Sequence, residues 1–394
     1  MCNNDDKFKE TWRKDFPYTK HLVYFQHAYN SPMPHSAVED VLEYFLSQNH
    51  LGFVQSEANS KIEDARKNLA KIINTKPEEI AFTQSYTEGL NIVTSNLDWK
   101  GKDNVVIGEG DYYSTFIHFV NLLKNKKNIG LRIIPLDEEG IVSVNKAKEL
   151  IDEKTALVHL VHVTNERGTI QPVKKIFDYA HKMDALTVVD AAQSTGIVPH
   201  TIEDLSCDYY SSVGKKWLMG PVGTAFFWCK EELIEDMLPP IAGKHVIKYD
   251  LNEIQFVKTA ERFESTTLNH PGIIGLDAAI RYVNSIGINK IEDFIKNIVK
   301  YLIIRLHEEC DVDIIGTKNI DLRTGITCIV LKGHDSDKVI EELKDRYLIF
   351  ADARGLGTPL NNNKCKSIRI STHFYNNKQD IEKLVYALKN IQNN

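Results

Sequence analysis

The sequence predicts an α/β fold on a mostly parallel central sheet, followed by a smaller α+β domain, and three observations carry that expectation. Apolar, β-branched runs alternate with amphipathic helical stretches: IAFT (80–83), NVVIG (104–108), LRIIPL (131–136), ALVHLVHV (156–163), LTVVD (186–190) and DYYSSV (208–213). The run Leu186-Thr187-Val188-Val189 is of the kind buried on both faces of a sheet, and it ends in Asp190. After about residue 264 the texture changes to long helical patterns, then to the strand-like ITCIVLKG, LIFADA and SIRISTH and a last helix. No repeat with a period of 20 to 50 residues interrupts this pattern.

Composition narrows the function classes. A chain of 394 residues, 42% apolar and 26% charged, is long enough for a large core and two packed domains. Its net charge of −6, with no basic tract interleaved with aromatics, argues against nucleic acid and for a small-molecule substrate. The charged start MCNNDDKFKETWRKDF has no leader-like apolar stretch, and no later run is long enough to span a bilayer, so a cytoplasmic location without membrane contact is expected. Six scattered cysteines without a CxxC spacing form neither a disulfide framework nor a zinc site. His159 and His162 are three apart on a strand and therefore on opposite faces, which argues against a metal pair. No metal is expected.

The residues that carry chemistry lie between 186 and 227. A carboxylate at a buried strand end, Asp190, needs a cationic partner. A second strand-like segment delivers Gly214-Lys215-Lys216 into a loop, and two parallel strands joined by a crossover end on the same edge, where α/β proteins bind ligands. A protonated pyridine nitrogen suits Asp190, and an amine from Lys216 or Lys215 suits a Schiff base with the aldehyde of pyridoxal 5'-phosphate. One cofactor accounts for both.

The VDAAQS and GKKWLMGPVGTAF segments resemble the signature of class V aminotransferases, the fold type I branch of pyridoxal phosphate enzymes that includes cysteine desulfurases, selenocysteine lyases and isopenicillin N epimerase-like proteins. YFQHAYNSPMP (24–34), FTQSYTEGLN (82–91), GEGDYYS (108–114), HVTNERGTIQPV (162–173), RFESTTLNHPGIIGL (262–276) and IRISTHFYN (368–376) extend the resemblance over nearly the whole chain in the family's order. The resemblance implies a large cofactor-binding domain over 31–264 and a small domain made of 1–30 with 265–394. It also implies a homodimer with active sites at the interface.

Residue roles follow from the same resemblance. The Trp-Leu after the lysines sets the register, so Lys216 is the residue that holds the cofactor as an internal Schiff base. Lys215 stands where the family has a phosphate-touching histidine, and Val213 where it has a serine. Tyr86 and Thr87 open a helix after IAFT, where backbone N–H groups attract a phosphate; Thr87 matches the family's phosphate threonine, and helix capping is its alternative role. Thr267 matches a threonine that reaches the phosphate across the dimer, although Thr266 replaces a glycine before it. Gln193 and Asn165 match contacts to the ring oxygen, Ala192 packs under the ring, and Tyr112 stacks on its open face. Arg369 matches the arginine that forks onto the substrate carboxylate. Arg354-Gly355-Leu356-Gly357 is set aside as a nucleotide loop because no helical pattern follows it and Pro359 intervenes.

These residues imply an enzyme acting on an amino acid. A desulfurase needs a mobile cysteine before the substrate arginine; the loop ADARGLGTPLNNNKC has none in its Gly-Thr-Pro part, and Cys365 is only four residues before Arg369. An aminotransferase is therefore the leading expectation, ahead of a cysteine or selenocysteine lyase, an epimerase, or a scaffold dimer that has lost catalysis.

Overall fold

Alternate residues along the apolar runs feed two separate cores, and that is why these segments are strands buried on both faces. Phe82, Val106, Val158, Val189, Tyr210 and Phe226 pack into one core, and their neighbours Ala81, Val105, Leu157, Val188, Tyr209 and Phe227 into the other. The computed structural model describes residues 11–124, 126, 128–358, 360 and 365–393. Cys2 and residues 361–364 of the loop before Cys365 lie outside them.

The larger sheet has seven strands: β1 (Ile80–Thr83), β2 (Asn104–Gly108), β3 (Gly130–Ile134), β4 (Thr155–Val161), β5 (Leu186–Asp190), β6 (Tyr209–Val213) and β7 (Ala225–Cys229). Their order is β1-β7-β6-β5-β4-β2-β3, and only β7 runs against its neighbours. The strand pattern read from the sequence omits β7, because AFFWC holds none of the β-branched residues that mark the other runs. Val161 pairs with Asp190 and Asp190 with Ser211, so β4, β5 and β6 finish side by side on one edge.

A four-stranded antiparallel sheet, β8 (Val312–Ile315), β9 (Ile326–Leu331), β10 (Asp352–Gly355) and β11 (Lys366–Ser371), has the order β8-β9-β11-β10. The long helical pattern after residue 264 is two helices, His270–Ile286 and Ile288–Glu309. They part at Gly287, whose φ of +90° suits glycine and ends the first helix. The N-terminal segment lies beside the second sheet: Val23 and Tyr24 pair in parallel with Ile349 and Phe350 as a separate two-stranded sheet, and Gln26 bridges Ser371 of β11. From there it runs to the edge where β5 and β6 end, and Ser31 N–H donates to the Lys215 carbonyl at 2.8 Å. Among the described residues no helix is long and apolar enough to cross a membrane.

A buried ion pair joins a flanking helix to the edge of the large sheet. Arg66, on the helix Gln55–Ile73, donates to Glu264 at 2.8 Å and to the Ile80 carbonyl at 2.6 Å, and the same Glu264 oxygen accepts from Phe82 N–H at 2.8 Å. Both side chains are almost fully buried. Removing one partner strands the other's charge, so Glu264→Ala is expected to cost about 3–5 kcal/mol in urea unfolding.

Candidate active site

The lysine reaches the cleft because the backbone after β6 is held tightly. A side chain on Gly214 would collide with Thr224 Oγ1 and Leu276, and Gly214 N–H donates to the Thr224 carbonyl at 2.8 Å. Lys216 follows, with its ammonium 5.8 Å from the Tyr112 ring centre. Although part of the residue's surface meets the cleft, the protein around the amine pushes its pKa from 10.5 down to about 8; Asp190 opposes the shift, while Arg369, Lys215 and Arg354 add to it. Asp190 is buried, which raises its pKa, and Lys216 is the main opposing influence. One Asp190 oxygen accepts from Ala192 N–H at 2.8 Å.

A hydrogen-bonded chain leads from the lysine loop to the second sheet. Trp217 Nε1 donates to Gln193 Oε1 at 2.8 Å, and Gln193 Nε2 donates to Asn165 Oδ1 at 2.8 Å and to the Ala28 carbonyl at 3.0 Å. Asn165 Oδ1 also accepts a short bond from Arg369 Nη1, and Arg369 Nη2 donates to Asp352 Oδ2 at 2.8 Å. Arg369 is fully buried, yet its Nε has no hydrogen-bond partner.

Tyr86 and Thr87 are the first two residues of the helix Tyr86–Ser95 that follows β1. Ser85 caps it, accepting from Glu88 N–H at 3.2 Å, so the cap does not require Thr87 and the Thr87 side chain stays exposed at a helix N-terminus. Tyr112 precedes the helix Tyr113–Leu123, and burial together with Tyr113 holds its phenol protonated. Lys215 places its ammonium 5.0 Å from the Tyr29 ring centre, a ring that Arg354 also approaches at 5.9 Å. Thr267 is exposed beside a cavity of about 620 Å³ lined by Arg66, His245 and Glu264; neither Lys216 nor Asp190 lines that cavity.

Sequence reasoning missed several groups at this edge. His159 and Asp190 project from the same face of adjacent strands, and His159 bonds Asp111 Oδ2 through Nδ1 at 2.5 Å and the Tyr86 hydroxyl through Nε2. His162 packs against His200 instead, and among the described residues no cluster of histidine, cysteine or acidic side chains could hold a metal. Arg354 and Asp352 alternate along β10 on the face of Arg369; that period of two was the available signal. Cys365 is exposed at the base of the β10–β11 hairpin, where its carbonyl accepts from Leu356 N–H at 2.9 Å.

The residues fit a group with a phosphate, an aldehyde and a ring nitrogen. Four cations, Lys215, Lys216, Arg354 and Arg369, gather with Asp190 and Asp352, and Arg369 Nε is an unused buried donor. The sheet order, with a lysine and an aspartate at neighbouring strand ends, is the fold type I architecture of pyridoxal phosphate enzymes. A model of the family described as Aminotransferase class-V matches residues 23–384, and the chain belongs to that family of pyridoxal phosphate-dependent enzymes. It is 29% identical to the probable cysteine desulfurase of Methanothermobacter thermautotrophicus over 97% of this chain and 98% of the relative. The apo structure of cysteine desulfurase from Thermococcus onnurineus NA1 superposes with a TM-score of 0.88 at 29% identity, covering 98% of each chain. A mutant of C-DES, with glycine covalently linked to its pyridoxal phosphate, shares the fold at a TM-score of 0.86 and 21% identity, over 96% of this chain and 98% of that one.

The depressed lysine pKa has a signed consequence. Below pH 8 the amine is protonated in both folded and unfolded chains, and its charge costs the folded state; between 8 and 10.5 the folded state sheds the proton first and the cost is relieved. In cofactor-free protein, Lys216→Met is expected to raise the thermal midpoint at pH 7, by about 1 °C for each kcal/mol recovered in a chain of 394 residues. The margin over wild type should shrink as pH climbs from 8 toward 10.5, as followed by calorimetry.

Proposed function

We propose that this protein is a pyridoxal phosphate-dependent carbon–sulfur lyase acting on L-cysteine or a close relative of it. The observation that carries the reading is the enclosed Lys216–Asp190 pair beside a buried arginine with an unused donor. Relatives named cysteine desulfurases, similar over almost the whole chain, favour the lyase over the aminotransferase expected from the sequence. The aminotransferase remains the second reading, because the Gly-Thr-Pro loop has no cysteine to take up sulfur.

When bound, the cofactor supplies an electron sink for charge developing at the substrate's α-carbon. Asp190 holds a proton on the ring nitrogen. The helix starting at Tyr86 receives the phosphate, with the Thr87 hydroxyl as an added donor. Lys216 Nζ, with a pKa of about 8, takes and returns the α-proton near neutral pH. Tyr112 stacks as a neutral phenol, and Arg369 Nε receives the substrate carboxylate. With no cysteine in the Gly-Thr-Pro part of the loop to take up sulfur, the Cα–H proton passes to Lys216 Nζ, the Cβ–S bond breaks with its electron pair on sulfur, and sulfide leaves to solvent, the remaining enamine hydrolysing to a keto acid and ammonia.

The same proposal covers the chain's organisation: residues 31–264 as the large domain, 1–30 with 265–394 as the small one, and a cytoplasmic homodimer. Exposed Leu42, Phe45 and Leu46 on the helix His35–Leu51 support the dimer, as does exposed Thr267 beside a cavity that its own chain's Lys216 does not line.

The test is incubation of cofactor-loaded protein with L-cysteine and dithiothreitol. Sulfide released over many turnovers, with the cofactor kept in its aldehyde form, is the expected outcome. Stoichiometric conversion of the cofactor to its amine form, with a keto acid and no sulfide, would replace the lyase with the aminotransferase.

A further inference from the structure

The arginine assigned to the substrate carboxylate already holds a carboxylate. Asp352 lies directly opposite Arg369 in the β10–β11 pair, and its Oδ2 accepts from Nη2 at 2.8 Å. Nη1 is spent on Asn165, through the side-chain oxygen and, at 3.3 Å, the backbone carbonyl. A two-pronged grip on a substrate carboxylate needs Nε together with Nη2, so the fork is complete only when Asp352 lets go.

Asp352 has somewhere to go. The same oxygen lies 3.9 Å from Nη2 of Arg354, two residues along the strand, and Arg354 Nε is buried with no hydrogen-bond partner. The carboxylate therefore stands between a fully buried guanidinium and a partly exposed one, 0% and 26% accessible in their side chains. In the empty site it keeps Arg369 paired, which a buried cation requires. With substrate present, two carboxylates on one guanidinium edge repel each other, and a shift of Asp352 to Arg354 relieves that repulsion.

We propose that Asp352 is an internal stand-in for the substrate carboxylate, holding Arg369 in the empty site and passing to Arg354 when an amino acid binds. It is a specificity-determining residue that lowers affinity for α-carboxylates while leaving the reacting groups untouched. This inference rests on the reading that Arg369 receives the carboxylate in a cofactor-loaded enzyme.

The test compares L-alanine with ethylamine, which lacks the carboxylate, by following the visible cofactor band of the holoenzyme on titration. Asp352→Asn and Asp352→Ala should each lower the half-saturating L-alanine concentration about tenfold, the scale of one charge-assisted hydrogen bond, and leave that for ethylamine unchanged. Arg354→Gln should raise the L-alanine value more in wild type than in the Asp352→Ala background, because only in wild type does Arg354 receive the displaced Asp352. Unchanged or weaker L-alanine binding in both Asp352 variants would overturn the proposal and leave Asp352 as a brace for Arg369. A wild-type band that ignores L-alanine while responding to ethylamine would overturn the carboxylate role of Arg369, and the stand-in with it.

Discussion

An amine and a carboxylate brought to neighbouring strand ends, Lys216 and Asp190, are the constraint on which the rest of the structure depends. Burial disfavours the charge on each, and each favours the charge on the other. The parallel β4, β5 and β6 finish on one edge, which puts Asp190 there. The close packing at Gly214 then turns the chain so that the lysine re-enters the cleft. A strand buried on one face, or a looser turn, would leave either group in solvent with an ordinary pKa.

The second sheet takes part in the site because polar groups tie it to the first. Gln193 accepts from Trp217 of the lysine loop and donates to Asn165, and Asn165 in turn holds Arg369 of β11. Each member is buried, so each bond's loss would leave an unsatisfied group, and the network orients residues from three distant parts of the chain. The N-terminal segment adds the Ala28 carbonyl and the Tyr29 ring. The cleft is thus shared between both ends of the chain.

Much of this was readable from the residues, and the limits have physical causes. LTVVD and YYSSV declare themselves as buried strands, and a charge at the end of each demands a partner, so Asp190 and Lys216 stand out. β7 did not, since AFFWC holds none of the β-branched residues that mark the other runs. The Asp111–His159–Tyr86 contacts join three strand and helix ends that only the sheet order makes neighbours. Asp352 lies near the end of the strand-like LIFADA and Arg354 opens the glycine-containing stretch after it, and only pairing with β11 gives their alternation meaning. Cysteine spacing pointed away from the lyase reading that whole-chain similarity supports, because a missing loop residue says less about chemistry than the site that remains.

The central claim is that Lys216, and not its neighbour Lys215, is the residue that binds the cofactor. Reduction of the loaded protein with borohydride, followed by peptide mapping, tests it directly. The account predicts a stable pyridoxyl adduct on Lys216 alone, with Lys215 unmodified; an adduct on Lys215, or none on either lysine, would contradict it.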